Sequence, residues 1–449
     1  MTPLLSHTNP VRGPALNSHK QNSEPWSLSA PGFYDITPPS ETSIVEDPFN
    51  DSVSELIIPN TEPLVAVIGV GYVGEHLISV FSKSYNTIGY DISEARINQL
   101  AQKRPPNSRV RFTSMACDIA NATHFLISVP TLLLPNKAIN SSFLRSALST
   151  VGLYAQPGAV VVIESSVAVG MTRELLGPLA KQRGFFAGMS PERVDPGRID
   201  PPAQLIPKIV SGLDDIVPGS LDTIKRFYSQ SFDKVVPVSR PEVAEMMKLY
   251  ENCQRMVCIA YANEMADACL GHNIDPYEVC QAASTKPFGY QPFSPSLGVG
   301  GHCIPVNPWY LLSNSSFPLL QMATEKMHAR PGVIAQRVIK RLCRESHDKL
   351  RPRVLVVGFG FKEGQSHLVN SPGLELAKNL LLTNKVDVAW ADPLVPQEAV
   401  PQIARLPESD WRVEVLGHFE MIIITFHQHG LDFEVLDRVK GVHIERWCA

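Results

Sequence analysis

Twice along this chain, short apolar runs of strand length alternate with polar or amphipathic stretches of helical length, and that alternation leaves few folds open. VAVIGV (65–70), NTIGYD (86–91), THFLISVP (123–130) and AVVVIESS (159–166) make the first series; RVLVVGFG (353–360), VDVAWADP (386–393) and MIIITFHQH (421–429) make the second. Continuous apolar runs separated by helical segments are what strands of a parallel sheet need, because helices cover both faces of such a sheet. Between the two series, Pro241 to Gly271 contains no internal proline or glycine and is rich in Glu, Met, Ala and Leu. At 3.6 residues per turn this predicts one helix of roughly eight turns, with Pro241 in its first turn and Gly271 just past its end. Apolar residues on more than one face, among them Val243, Met247, Leu249, Met256, Ile259 and Ala260, predict burial on several sides, including against a second subunit. The expected fold class is therefore α/β, with two Rossmann-like doubly wound domains joined by a long central helix. The expected boundaries are 61–240 for a cofactor domain, 241–345 for a central helical domain with a cysteine loop, and 346–449 for a substrate domain.

Residues 1–60 hold nine prolines and nine serines with little apolar periodicity, a composition that predicts a disordered tail; linker and transit-peptide readings stay open. In the whole chain of 449 residues, 44% are hydrophobic and 19% charged, and no apolar run reaches the ~18 residues that would span a bilayer. A formal net charge of -4 offers no basic footprint, so neither nucleic acid nor a membrane surface is an expected partner. Eight cysteines are scattered without a C-x-x-C pair, and no basic-then-apolar signal segment is apparent, which predicts reduced thiols and a cytoplasmic setting. His427 and His429 lack a third ligand nearby and read as loop histidines; no metal is expected.

GVGYVG (69–74) directly follows the first strand run and precedes a helix. Gly69 makes the tight turn, Gly71 lets backbone approach a pyrophosphate, and Gly74 lets the helix pack closely on its strand. Tyr72 and Val73 complete the turn. Asp91 ends the next strand run about 20 residues on, where a carboxylate accepts from ribose hydroxyls, and Arg96 follows it. An acid there repels a ribose 2′-phosphate and favours NAD over NADP, while FAD uses the same fingerprint and stays open on this ground alone.

GGHCIPVNPWYLL (300–312) sets paired glycines beside Cys303 and stiffens the exit with two prolines. With this loop the chain resembles the UDP-glucose/GDP-mannose dehydrogenase family, closest to its branch acting on UDP-N-acetylhexosamines. The resemblance spans roughly 62–449 and includes, in order, GVGYVG, SVPT (128–131), ESSVAVGMT (164–172), SPERVDPG (190–197), IPKIVSG (206–212), AEMMKLYENCQRM (244–256), GGHCIPVNP (300–308) and VLVVGFGFK (354–362). It implies NAD-dependent four-electron oxidation of a UDP-sugar C6 alcohol to the uronic acid, in the service of polysaccharide biosynthesis, by a cytoplasmic homodimer. Two hydride transfers with a reactive aldehyde between them call for a covalent hold: a thiolate adds to give a thiohemiacetal, which loses the second hydride to leave a thioester for water.

Residue by residue, the resemblance implies Cys303 as nucleophile, Lys248 and Asn252 as oxyanion and water ligands on one helix face, Glu192 in thioester hydrolysis, and Thr131 near the nicotinamide. Arg193, Arg255, His302 and Lys362 are the implied substrate contacts. Two departures stand out. The family aspartate after the nucleophile is Asn307 here, an amide that cannot act as a base. In KEGQSHLVNSP (362–372), where the family usually has K-x-D-x-D-D-x-R-E-S-P, Val369 replaces the arginine that contacts the nucleotide sugar. Gly358 and Gly360 lack a third glycine, which predicts a UDP site in place of a second dinucleotide site. A UDP-glucose or GDP-mannose enzyme, and a homologue that binds without turnover, are the alternatives.

Overall fold

The computed structural model describes residues 62–103, 109–195, 197–198, 200–345 and 351–448, so the expectation for 1–60 lies outside the described residues. The first apolar series folds into an eight-stranded sheet: β1 (Leu64–Ile68), β2 (Asn86–Tyr90), β3 (Val110–Thr113), β4 (His124–Ile127), then, after a short hairpin of β5 (Leu132–Leu133) and β6 (Ile139–Asn140), β7 (Val160–Ile163), β8 (Phe186–Met189), β9 (Lys208–Gly212) and β10 (Val235–Pro237). Strand order is β10-β9-β8-β7-β4-β1-β2-β3. All neighbours run parallel except β8 and β9, which pair Gly188 with Gly212 and Met189 with Ser211 in antiparallel register. Helices α1 (Tyr72–Phe81), α2 (Glu94–Gln102), α3 (Ser142–Tyr154), α4 (Met171–Arg183) and α5 (Ser220–Tyr228) connect the strands. Val65, Val67, Phe125, Val161 and Ile163 are fully buried, as strands covered on both faces require.

His124, at the head of β4, stacks on Phe227 with ring centroids 4.2 Å apart, and burial pushes its imidazole from about 6.5 down to about 4. The folded ring stays neutral where the unfolded one takes a proton, so this contribution is full above pH 6.5 and is lost as pH falls through 4. Linkage sets the loss at roughly 2 kcal/mol by about pH 5. Urea unfolding at pH 7 and pH 5 should show it, and His124→Phe should flatten the difference.

The predicted central helix is α6 (Pro241–Leu270), and Gly271 caps it in right-handed conformation. After α7 (Pro276–Ser284) and α8 (Asn307–Leu312) comes a second long helix that the sequence reading did not anticipate, α9 (Pro318–Glu345), which packs on α6. Pro331 and Gly332 inside it weaken its sequence signal. The second series forms an all-parallel five-stranded sheet from β11 (Arg353–Val357), β12 (Asp387–Ala391), β13 (Ala404–Arg405), β14 (Met421–Ile424) and β15 (His443–Arg446), in the order β13-β12-β11-β14-β15, with α10 (Pro372–Leu382) and α11 (Val413–Leu416) between strands. The series does not end near residue 429 as the sequence suggested: β15 adds a half-buried edge strand with charged and polar residues, which carries no long apolar run to read.

The two sheets share one construction at the end of their first strands. Gly69 takes a φ of +86°, and a Cβ on Gly74 would sit 2.0 Å from Gly69 O, so no larger residue fits there. Gly358 takes +88°, and a Cβ on Gly373 would sit 2.4 Å from Gly358 O. The third glycine therefore exists in the second sheet, displaced to residue 373 by the inserted loop 361–371. That loop fills the turn with its own backbone: a Cβ on Gly360 would meet Gln365 O at 1.9 Å, and Asp392 Oδ2 accepts from Phe359 N (2.8 Å) and Gly360 N (3.0 Å).

Candidate functional site

In a doubly wound sheet the crevice beyond the carboxyl ends of the strands, where strand order reverses, is the place for a ligand. Here that reversal falls between β1 and β4. Successive strand ends deliver Gly69 to Gly74 after β1, Ser128 to Thr131 after β4, Glu164 to Ser166 after β7 and Ser190 to Glu192 after β8. The glycine turn is fastened from several sides. Ser128 Oγ donates to Gly69 O (2.7 Å), and Asp91 accepts from Val70 N (2.9 Å) and Ser93 N (3.0 Å). Arg96 lies over the turn, donating to Val70 O (2.9 Å) and pairing with Glu75 (2.8 Å). Nothing lies within 4 Å of a Cβ built on Gly71, the residue that opens α1, and Tyr72 is about half exposed beside the half-buried Val73. An open backbone approach at a helix N-terminus suits a pyrophosphate.

Helix α6 brings the second group. Glu245, Lys248 and Asn252 follow at i, i+3 and i+7, one face of the helix, and all three are buried. Glu245, missed in the sequence, accepts from Gly170 N (2.6 Å) and Thr172 N (2.8 Å) at the start of α4, so an acid caps that helix and fixes the rotation of α6. Burial pushes the Lys248 ammonium below its ordinary range, and the charges that oppose this are, in order, those of Cys303, Glu192 and Glu251. Lys248 thus lies within electrostatic reach of both the thiol and the glutamate. This stripe is interior and not solvated surface: Asn252 is fully buried, its amide nitrogen donates to Asn307 Oδ1, and Arg255 donates to Asn252 Oδ1.

The Cys303 loop is held from both sheets. Asn307 N donates to Cys303 O (2.9 Å) as α8 begins, and Tyr310 OH donates to Thr131 O (2.9 Å). On the other side Gly301 N donates to Val369 O (2.9 Å) and Asn370 Nδ2 to Gly301 O (2.9 Å). Gly301, at φ +89°, packs on the Phe361 ring, where a Cβ would come within 2.9 Å. Cys303 itself is half-buried, Asn307 is buried, and His302 is exposed with its imidazole lowered by surrounding atoms and by His367.

Other expected site residues have partners within the protein. Thr131 Oγ1 donates to Ser166 O (2.6 Å). Arg193 pairs with Glu251 (2.5 Å) and donates to Pro207 O (2.9 Å), which commits much of its guanidinium to bracing SPER against α6. Lys362 pairs with Asp195 (3.1 Å) and so joins SPERVDPG to the second sheet. His429 lies 3.5 Å from Glu363, and His427 packs on Phe433. Glu164, Lys208 and Tyr228 were missed altogether, although they surround Glu192 in the interior.

The family model described as the NAD binding domain of the UDP-glucose/GDP-mannose dehydrogenase family matches residues 64–231, and that of its central domain matches 242–326. The UDP-N-acetyl-D-glucosamine 6-dehydrogenase of Salmonella typhi is 32% identical over 390 residues, 81% of this chain and 89% of the relative. The enzyme of the same name from Pseudomonas aeruginosa is 32% identical over 359 residues, covering 74% and 83%. Among solved structures, the UDP-D-ManNAc dehydrogenase of Pyrococcus horikoshii superimposes with a TM-score of 0.72 at 26% identity, covering 86% of this chain and 99% of that one. The match to the NAD binding domain takes in the glycine turn, the cofactor is NAD, and the chain belongs to the UDP-glucose/GDP-mannose dehydrogenase family of oxidoreductases.

Proposed function

We propose that the protein oxidises the C6 alcohol of a UDP-N-acetylhexosamine to the carboxylate, reducing two NAD per sugar. The observation that carries this reading is the placement of buried Lys248 and Asn252 beside the Cys303 loop, in the crevice that also holds the glycine turn. The relatives named for UDP-N-acetyl-D-glucosamine and UDP-D-ManNAc support the substrate class. Residues 61–240 bind NAD, 346–449 bind the nucleotide sugar, and 241–345 supply the thiol between them. Arg193, Arg255, His302 and Lys362 line the sugar side.

In this reading NAD supplies the hydride acceptor when bound, and the chain's own groups handle charge and protons. Lys248 and Asn252 face the alcohol oxygen as negative charge develops on it. The Cys303 sulfur adds to the aldehyde carbon and holds it through the second oxidation. Glu192 takes a proton from the water that attacks the thioester, the C–O bond forms, and the C–S bond breaks to release thiolate. A time course of NADH release with UDP-N-acetylglucosamine, UDP-N-acetylmannosamine and UDP-glucose tests the proposal. Two NADH per sugar are expected, with an N-acetylated substrate preferred; one NADH with free aldehyde would overturn it.

Val243, Met246, Tyr250, Tyr261 and Met265 expose their side chains along one stripe of α6, and we assign this face to a homodimer. A reducing, cytoplasmic setting agrees with eight unpaired cysteines. Among the described residues, no helix is long and apolar enough to cross a membrane.

Asn307 favours a second reading, a homologue that binds both ligands without turnover, because an amide now meets Asn252 where the family has an acid. Asn307→Asp decides between them. A carboxylate there would accept the same Asn252 hydrogen bond and add a negative charge near Lys248. Steady-state turnover should rise by about tenfold or more, within the range general-base groups supply. Saturable NAD and UDP-sugar binding with no NADH from either form would favour the second reading.

A further inference from the structure

The reversal of β9 has a chemical result. Strands β1 to β4, β7 and β8 point their last residues into the ligand crevice, but β9 and its parallel neighbour β10 run the other way, and the first residue of β9 that reaches this end is Lys208. Continuing the register from Met189 opposite Ser211 by three residues sets Lys208 opposite Glu192. The side chains meet accordingly. Lys208 Nζ lies 3.0 Å from Glu192 Oε2 and 2.6 Å from Glu164 Oε2, with Lys208 2% exposed and Glu164 1%.

The other oxygens are also held. Glu192 Oε1 accepts from Arg193 N (2.7 Å) and Val194 N (3.0 Å), and Tyr228 OH donates to Glu164 Oε1. His76 of α1 faces the same carboxylate from the cofactor side, and its buried Nε2 has no hydrogen-bond partner among the described residues. A buried lysine between two carboxylates is costly to desolvate and gains little for stability over an apolar replacement. Its position against a carboxylate that reaches the thiol side of the crevice gives it a different use.

We propose that Lys208 is a positioning residue for the hydrolytic half of the reaction, tethered by Glu164 so that it holds the Glu192 carboxylate toward the Cys303 thioester. This rests on the hydrolytic role assigned to Glu192 above. Lys208 touches neither sugar nor nicotinamide in this scheme; it acts only through Glu192. Burial raises the proton affinity of Glu192, but the Lys208 charge and hydrogen bond, then His76 and the Arg193 N–H, outweigh it and keep this group below the ordinary carboxylate range. Glu164 is raised to about 7, because its complete burial, with the Glu192 charge beside it, outweighs the Lys208 and Tyr228 contacts that pull it down. Lys208 bridges the two neighbouring acids, and its charge and hydrogen bond favour the ionised form of Glu192 that takes a proton from the water. In hydrolysis, ionised Glu192 accepts a proton from the attacking water as the carbonyl carbon gains oxygen and Cys303 leaves as thiolate.

The test separates the two halves of the reaction. Wild type, Lys208→Met, Lys208→Arg and Glu164→Gln are mixed with NAD and UDP-N-acetylglucosamine or UDP-N-acetylmannosamine. The NADH burst is followed by stopped flow, and adducts on Cys303 by intact-protein mass spectrometry after acid quench. Lys208→Met should keep the burst rate within about twofold, slow steady-state turnover by about 10²-fold, and accumulate the acyl adduct, as loss of an effective base would. Lys208→Arg should accumulate less adduct and recover at least about tenfold of the lost turnover. Equal slowing of burst and turnover, with no adduct, would show a merely structural lysine and overturn the inference. Should Lys208→Met fail to fold, judged by NAD binding and thermal melting, Lys208→Arg and Glu164→Gln decide: wild-type partitioning in both overturns it, and adduct accumulation in either supports it. A wild-type protein that forms no NADH with either sugar overturns the function proposed above, and this inference with it. A wild type that turns over beside a Lys208→Met that partitions identically overturns this inference alone.

Discussion

Cys303→Ala should leave a folded protein that still binds NAD but makes acid at least ~10³-fold more slowly, because no group remains to hold the aldehyde for its second oxidation. The loop tolerates the change on structural grounds. Its shape is fixed by Gly301 against Phe361, by the Asn370 and Val369 hydrogen bonds and by the start of α8, none of which uses the sulfur. NADH release and product analysis read the loss, and intact mass shows whether any adduct survives. A variant that still delivered two NADH per sugar at near wild-type rate would remove the covalent mechanism.

Lys248→Met should be nearly as damaging. The replacement fills a similar volume in a site that is 6% exposed, so packing is largely kept, while a buried cation that senses both Cys303 and Glu192 is lost. Removing one preorganised donor to a developing oxyanion costs about 10²–10³-fold in turnover. The loss should fall on the first hydride transfer, so the NADH burst slows together with steady state. That pattern is the reverse of the one expected for Lys208, and measuring both variants side by side distinguishes a group facing the alcohol oxygen from one acting on the water.

The parts of this architecture that could be read from sequence are those whose signal is local. Gly69, Gly71 and Gly74 occupy fixed offsets after a strand, and Asp91 ends the next one, so turn, helix start and acid were placed together and the structure joins them through Val70 N. The length of α6 followed from uninterrupted helix-forming residues between a proline and a glycine. What escaped notice depends on pairings between distant residues. Lys208 meets Glu164, 44 residues away, only because β9 runs against β8, and a strand's direction is not written in its own residues. Glu245 looked like any acid in a mixed helix, since its partners Gly170 and Thr172 belong to another element. Gly373 was overlooked because the inserted loop moved it out of the familiar spacing while leaving its contact with Gly358 intact.

The segment bearing the thiol has one foot on each sheet: Tyr310 grips Thr131 on the NAD side, while Gly301 is clasped by Val369 and Asn370 on the other. Neither half can drift from its neighbour without breaking one grip or dragging the sulfur along. Any coupling between the two ligands that passes through this single short strap is reciprocal, each changing the affinity for the other by the same factor.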